Sequence, residues 1–427
     1  MNSSFLYEKF KESTGVCTDT RKIKKGNLFF ALKGPNFNAN KLAAQALVSG
    51  ALLAVIDDSE FNTDDRCLLV DDCLTTLQEL ANHHRKRLTI PIIGITGSNG
   101  KTTTKELTRN VLATKFNVFA TRGNLNNHIG VPLSLLEIDE SIEIAIIEMG
   151  ANHVGEIAAL CLIAEPTHGL ITNIGKAHLE GFGGIEGVIR GKSEMYHWLI
   201  QKEGVIFVNS QNEILANIAQ RRIKNPIYYP AKGDFLHLAL KEAKPEIVFE
   251  DDQGLLTKTA LSGAYNFENI ASALCVGKYF EVNMDKAILA VAGYVPDNNR
   301  SQILKKGTNT IVMDAYNANP TSMKAALESL SLMNGSKVAI LGDMFELGDE
   351  SEQEHEMVGK QTSAMSLDQV VFCGLNMKSA ANANSNALYF ENKNELNAYL
   401  STRALDDTTI LLKGSRGMGL ESLLEYI

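Results

Sequence analysis

The chain has 427 residues, 44% of them apolar and 21% charged, with a formal net charge of −9. Such a length and mixture predict a folded protein of roughly two to four domains and exclude a disordered chain. The acidic balance gives no electrostatic support for a nucleic-acid or membrane-surface partner, and no apolar run reaches the roughly 18 residues of a membrane span.

The first residues, MNSSFLYEKFKES, lack the basic-then-apolar pattern of a secretion signal, so a cytoplasmic location is expected. Six cysteines (Cys17, Cys67, Cys73, Cys161, Cys275 and Cys373) form no C-x-x-C pair and are read as scattered reduced thiols. Short apolar runs predict buried strands at Ile92–Ile95, Ile144–Ile147, Gly169–Thr172, Val205–Val208, Thr310–Met313, Lys337–Leu341, Gln369–Phe372 and Thr409–Leu412. Amphipathic helical patterns lie between many of them, and that alternation predicts an α/β fold with crossover helices. A polar helix end at His83 to Arg87 and a turn-rich stretch from Tyr294 to Arg300 divide the chain into residues 1–88, 89–297 and 298–427. Clefts between such segments are common ligand sites.

The sharpest local signal is the strand beginning at Ile92 that runs into T-G-S-N-G-K-T-T over residues 96–103 and then a helical stretch. Gly97 and Gly100 let the backbone turn so that N–H groups face phosphates, and the helix start adds partial positive charge. Ser98 and Asn99 complete the loop, Lys101 is placed to reach the β/γ-phosphates, and the Thr102 hydroxyl can ligate Mg²⁺, with Thr103 beside it. Ile95 stands where the longer form of this motif has a glycine, so the loop is a short variant. Alone, it predicts nucleotide phosphate binding without specifying a reaction.

Downstream, Glu148 and His178 follow two of the predicted strands, at the end of a parallel sheet where ligands gather. Carboxylate and hydroxyl oxygens suit Mg²⁺, whereas an imidazole is a less usual ligand for so hard a cation. Read alone, His178 is more often a loop histidine with a local hydrogen bond, and Glu148 more often a strand-end salt-bridge partner.

These segments, with R-G-N-L-N-N-H-I-G-V-P over 122–132, R-G-K-S-E over 190–194, Y-N-F-E-N-I over 265–270, D-A-Y-N-A-N-P over 314–320, G-D-M-F-E-L-G over 342–348 and K-G-S-R-G-M over 413–418, occur in the order of one family. The sequence resembles the Mur ligases, ATP-dependent amide-bond ligases of bacterial cell-wall synthesis, and within them the members that add D-alanyl-D-alanine to a UDP-N-acetylmuramoyl-tripeptide. The resemblance implies a small α/β N-terminal domain for the UDP end of the substrate. It implies a central P-loop mononucleotide-binding domain with a parallel sheet, and a C-terminal Rossmann-like domain that closes over the reaction. It further implies ATP and Mg²⁺ as cofactors, the muramoyl-tripeptide and D-alanyl-D-alanine as substrates, no nucleic-acid partner, and a monomer.

Residue by residue, Thr102, Glu148, His178 and Lys192 match metal-site positions, and with Lys101 they form the implied catalytic set. Lys192 matches a lysine that becomes an N-carbamate in many members, which turns a cation into a metal-binding anion; its bland alternative is a surface helix lysine. Asn266 and Asn269 match the adenine side of the nucleotide site. Asp314 and Tyr316 match positions near ribose and base, and Arg300 one near the phosphates. Asn126, Asn127, His128 and Asn317 are expected to face the peptide substrate, or to satisfy only their own loops. Thr20, Arg21, Lys33 and Gly34 match the uridine-binding segment, although Asn36 to Asn40 stand where many relatives carry D-G-H. Lys413 and Arg416 are read as reaction-cleft charges or as solvated loop charges. The alternatives open at this stage are another ligase of the superfamily, such as the third-residue-adding enzyme or folylpolyglutamate synthase; a P-loop switch or regulatory module; and a scaffold protein.

Overall fold

The computed structural model describes residues 3–427 apart from Pro245, Asn298 and Ala404. Among the described residues, sheets of four, six and six strands succeed one another along the chain, accompanied by a three-stranded antiparallel sheet and a short hairpin. The expected α/β architecture in three successive layers of sheet is therefore present. The division at 88/89 falls between the Cys73–Arg85 helix and the Ile92–Thr96 strand. The division at 297/298 falls on Asn298, outside the described residues, as do Met1 and Asn2 of the first segment.

The central sheet runs in the order Ile227–Tyr229, Val205–Asn209, His168–Ile171, Ile92–Thr96, Ile144–Glu148, Val118–Ala120. Every pairing in it is parallel. Its strands are buried on both faces, which is why they read as continuous apolar runs rather than alternating ones. Adjacent residues nevertheless serve different layers: Ile92, Ala145 and Ile147 join one core, whereas Ile93, Ile95, Ile144 and Ile146 join the core on the other face. The chain leaves the middle strand Ile92–Thr96 for the edge strand Val118–Ala120, and later crosses to its other flank at His168–Ile171. The phosphate loop therefore emerges where the strand order reverses, at the carboxyl ends of the strands.

The N-terminal sheet is all parallel. The C-terminal sheet is parallel apart from its antiparallel edge strand Gln302–Lys306. One apolar cluster continues through all three parts, from Leu6 and Leu77 through Ile147 and Leu179 to Leu341 and Leu411. All six cysteines are free thiols, and no described helix is long and apolar enough to cross a membrane.

The N-terminal part is fastened to the central one by polar groups as well. Arg85, 6% exposed, directs Nε to the Ala164 carbonyl at 2.8 Å, Nη2 to the Glu165 carbonyl at 2.9 Å and Nη1 to the Leu88 carbonyl at 2.9 Å. Two of those carbonyls end the Glu156–Ala164 helix, where acceptors have no intrahelical partner and a cation is favoured. Arg85→Ala removes the cation and leaves the carbonyls without these donors. It is expected to lower stability by about 2–3 kcal/mol, seen as an earlier denaturant midpoint for the transition that exposes this interface.

Candidate active site

The phosphate loop is shaped by two glycines whose conformations other residues resist. Gly97 has φ +141° and Gly100 φ +78°; a Cβ on the first would lie 2.0 Å from Thr172 Oγ1, and on the second 2.4 Å from Asn269 Oδ1. The loop is braced by the segment that follows the His168–Ile171 strand. The Ser98 N–H donates to the Asn173 carbonyl at 3.0 Å, the Asn99 N–H to Asn173 Oδ1 at 3.0 Å, and Ser98 Oγ to the Gly175 carbonyl at 3.0 Å. The loop amides at 98 and 99 are thus already satisfied, contrary to the expectation that they face phosphate. The donors left for an anion are the first-turn N–H groups of the Lys101–Leu112 helix, which lack intrahelical acceptors by geometry.

Lys101 folds back on its own loop, with Nζ donating to the Gly97 carbonyl at 2.7 Å and the Ser98 carbonyl at 3.2 Å. Burial, reinforced by the Arg300 charge and opposed by Glu148, pulls its ammonium down to about 8. Beside it, Thr102 Oγ1 donates to Glu148 Oε2 at 3.0 Å, and Asn126 Nδ2 donates to Glu148 Oε1 at 2.8 Å. Glu148, 2% exposed, is the last residue of its strand, so the sheet aims its carboxylate at the helix start.

Above this floor lies a cavity of about 660 Å³, within the usual size of a small-molecule site. The residues anticipated in Ser98–Thr103, together with Glu148 and His178, line it. Asn126, Asn127 and His128 form a wall, Asn266 and Asn269 line it beside the phosphate helix, and Arg300, Asp314, Tyr316 and Asn317 line it from the C-terminal part. Arg300 stacks over the Tyr316 ring at 3.6 Å, and Arg416 Nη1 donates to the Tyr316 hydroxyl at 3.1 Å. Lys413 is not a solvated loop charge: it is 1% exposed, 2.5 Å from Asp314 Oδ2.

Other anticipated residues sit elsewhere or are otherwise engaged. Gly97 and Lys192 lie outside the lining. Lys192, 1% exposed, donates to the carbonyl of Ala151, itself part of the wall, at 2.9 Å and stands 4.9 Å from the Phe182 ring centroid. It is no surface lysine, and burial, aided by the charge of Lys101, pulls its ammonium well below the ordinary lysine range. His178, with left-handed φ 53°, pairs through Nδ1 with Glu346 Oε2. That bond, the largest effect, holds the Glu346 carboxyl below its ordinary range. Asn266 and Asn269 spend their amides internally, Asn266 Nδ2 on the Ser262 carbonyl and Asn269 Nδ2 on Asn266 Oδ1, each at 2.8 Å. Asn269 Oδ1 also accepts from Thr104 Oγ1 at 3.0 Å, so this pair braces the phosphate helix. In the N-terminal part, Lys33 and Gly34 line a second, shallow cavity of about 420 Å³. Thr20 and Arg21 occupy a neighbouring 3₁₀ turn outside its lining, with Arg21 paired to Asp19 at 2.8 Å.

Four contributors were not anticipated. Asn319 caps the Pro320–Ser331 helix and pairs its amide with Asn99 of the phosphate loop at 2.8 Å. The Asn-Pro step at a helix start is the local signal for the cap, though not for the bridge. Glu346 and Glu354 of the C-terminal part reach the central part, the latter to Lys176 Nζ at 2.5 Å. Lys105, completely buried, lies 3.7 Å from Glu148.

The donor set beside the phosphate loop is hard: a hydroxyl and a carboxylate, both buried. Among the described residues no group of three or more His, Cys, Asp or Glu is assembled to hold an ion. Two protein oxygens at the mouth of a phosphate cradle suit Mg²⁺, which commonly takes one or two protein ligands and completes its shell with water and substrate phosphates.

Residues 95–277 match the Mur ligase middle domain, and residues 299–416 the Mur ligase glutamate ligase domain. The chain is 35% identical to the UDP-N-acetylmuramoyl-tripeptide–D-alanyl-D-alanine ligase of Bacillus subtilis, over 96% of this chain and 92% of that protein. Its fold is similar to crystal structures of MurF from Acinetobacter baumannii (TM-score 0.88, 30% identity, 99% and 97% of the two chains) and of the Thermotoga maritima enzyme in complex with ADP (0.86, 29%, 98% and 97%). With both of its larger segments matched and its relatives aligned from end to end, the chain belongs to the Mur ligase family, on its MurF branch.

Proposed function

We propose that the protein joins D-alanyl-D-alanine to UDP-N-acetylmuramoyl-tripeptide at the expense of ATP, giving the UDP-linked pentapeptide, ADP and phosphate. The observation that carries this reading is the single cavity in which a phosphate-binding helix start, the Asn126–His128 wall and residues of the C-terminal sheet meet. A binding module or switch needs the first of these but not the other two, and the full-length similarity to D-alanyl-D-alanine ligases separates this reading from other ligases of the superfamily.

A carboxylate does not react with an amine at neutral pH until one oxygen becomes a leaving group. The terminal carboxylate of the tripeptide attacks the γ-phosphorus of ATP, ADP departs, and an acyl phosphate forms. The amino nitrogen of D-alanyl-D-alanine then attacks the acyl carbon; a proton is lost from nitrogen, the C–O bond breaks, and phosphate leaves with one of the former carboxylate oxygens while the carbonyl oxygen stays in the amide. The protein's work in such a sequence is positioning and charge neutralisation.

The helix start and Lys101 hold the transferring phosphate, Lys101 exchanging two loop carbonyls for phosphate oxygens. Arg300, stacked on Tyr316, adds positive charge from the C-terminal side. Thr102 and Glu148 would hold Mg²⁺, with His178 and an N-carbamoylated Lys192 as further members of the set. When bound, the ion supplies Lewis-acid polarisation of the phosphoryl oxygens. Asn126, Asn127, His128 and Asn317 face the peptide, and Lys33 and Gly34 line the small N-terminal cavity proposed for the uridine end. The contacts of Asn99 with Asn319, and of Lys176 with Glu354, draw the C-terminal part over the phosphate loop and exclude water that would hydrolyse the acyl phosphate.

Purified protein given ATP, Mg²⁺, UDP-N-acetylmuramoyl-tripeptide and D-alanyl-D-alanine should yield a pentapeptide mass with one ADP per linkage. Release of AMP and pyrophosphate, or absence of the new amide, would overturn the assignment.

A further inference from the structure

We propose that Lys105 is a positioning residue that keeps Glu148 from holding a divalent cation alone, so that the metal enters the site together with the nucleotide. The inference rests on the metal role proposed above for Glu148 and adds a residue that role does not include.

Lys105 lies one helical turn beyond Thr102, on the same face of the Lys101–Leu112 helix. Its side chain is completely buried, and Nζ donates to the Thr121 carbonyl at 2.6 Å. The same ammonium stands 3.1 Å from Glu106 Oε1 and 3.7 Å from Glu148 Oε2. Thr121 closes the circuit, because its Oγ1 accepts the Glu148 N–H at 3.0 Å. Both oxygens of the carboxylate therefore already have partners within the protein. Oε2 faces the Thr102 hydroxyl and the ammonium, and Oε1 faces the Asn126 amide.

A dication arriving alone must displace these donors and sit near a buried cation with little water between them, where like charges repel strongly. Nucleotide phosphates reverse that balance, since they bring several negative charges to the opposite side of the ion. The competing reading makes Lys105 a structural cross-link between Glu106, Glu148 and Thr121. The two readings differ in sign. Loss of a cross-link loosens the carboxylate and weakens metal binding, whereas loss of a repelling charge strengthens it.

The test uses Mn²⁺ as probe, with free ion followed by electron paramagnetic resonance, on the full chain with and without ADP. Wild type should bind weakly alone and tightly with ADP. K105Q, which keeps a donor for the Thr121 carbonyl but loses the charge, should bind Mn²⁺ without nucleotide roughly tenfold more tightly than wild type. K105R should behave as wild type. Should K105Q fail to fold by circular dichroism, K105M carries the same expectation. Affinity in the uncharged variant equal to or weaker than wild type overturns the proposal. E148Q separates the two layers: if it leaves ADP-dependent Mn²⁺ binding intact, the metal role of Glu148 falls and the proposal with it. If E148Q weakens that binding while K105Q changes nothing, only the role of Lys105 falls.

Discussion

Lys101→Ala is expected to lower turnover by at least roughly 10²–10³-fold while leaving the fold intact, because it removes one charged contact to the transferring phosphate. The structure explains why the fold survives. The lysine's partners are the Gly97 and Ser98 carbonyls of a loop independently held by Asn173 and Gly175. Circular dichroism and the denaturant midpoint should change little, and a variant with wild-type rate would remove Lys101 from the mechanism. A pH dependence follows as well. With the ammonium titrating at about 8, the free protein loses this positive charge as pH rises through that value. Affinity for ATP should therefore weaken between about pH 7 and 9, by at most roughly tenfold per pH unit for one proton. In K101A that portion of the slope should vanish, as read from nucleotide titrations across the same range.

Lys192→Ala is expected to cost a comparable factor, roughly 10²–10³-fold in rate, if the residue acts as its carbamate. Burial, aided by the charge of Lys101, pulls the ammonium well below the ordinary lysine range and so favours the free amine, which is the form that attacks carbon dioxide: an N–C bond forms, a proton leaves, and a carboxylate results. That anion would sit behind Ala151 and remove one buried lysine charge from the neighbourhood of Lys101. Small carboxylates such as formate or acetate should restore part of the activity of the alanine variant, and removal of carbon dioxide should slow the wild type. Without rescue, and with wild-type activity unchanged in carbon-dioxide-free buffer, the carbamate is excluded while the ligase assignment stands.

The strands from Ile92, Ile144, Val205 and Gln369 begin where the apolar runs predict, because a strand buried on both faces writes its burial into consecutive residues. His168–Ile171 starts one residue earlier than read, with half-buried His168 packed near Phe207 and Tyr279. The antiparallel strands Leu238–Ala243, Ile247–Asp251 and Leu256–Lys258 were not anticipated. They are half-exposed, and their alternation is diluted by charges such as Lys241, Glu242 and Glu250.

The phosphate loop was legible for the same local reason as the strands: its glycines, lysine and threonines act within a few residues of one another. So was the order of segments that marks the family. What no local reading contains is which distant side chains share the cavity. Asn99 meets Asn319 across 220 positions, His178 meets Glu346 across 168, and Lys105 meets Glu148 only because the strand ending at Glu148 pairs with the strand that leads into the phosphate helix. Sequence by itself determined the strand-loop-helix unit and the chemistry of its residues, because backbone conformation and burial period are set by near neighbours. The tertiary structure alone decided that Lys192 is a buried amine, that Lys413 is a buried ion-pair partner and that His178 faces Glu346, because burial and charge pairing depend on which elements the sheets bring together.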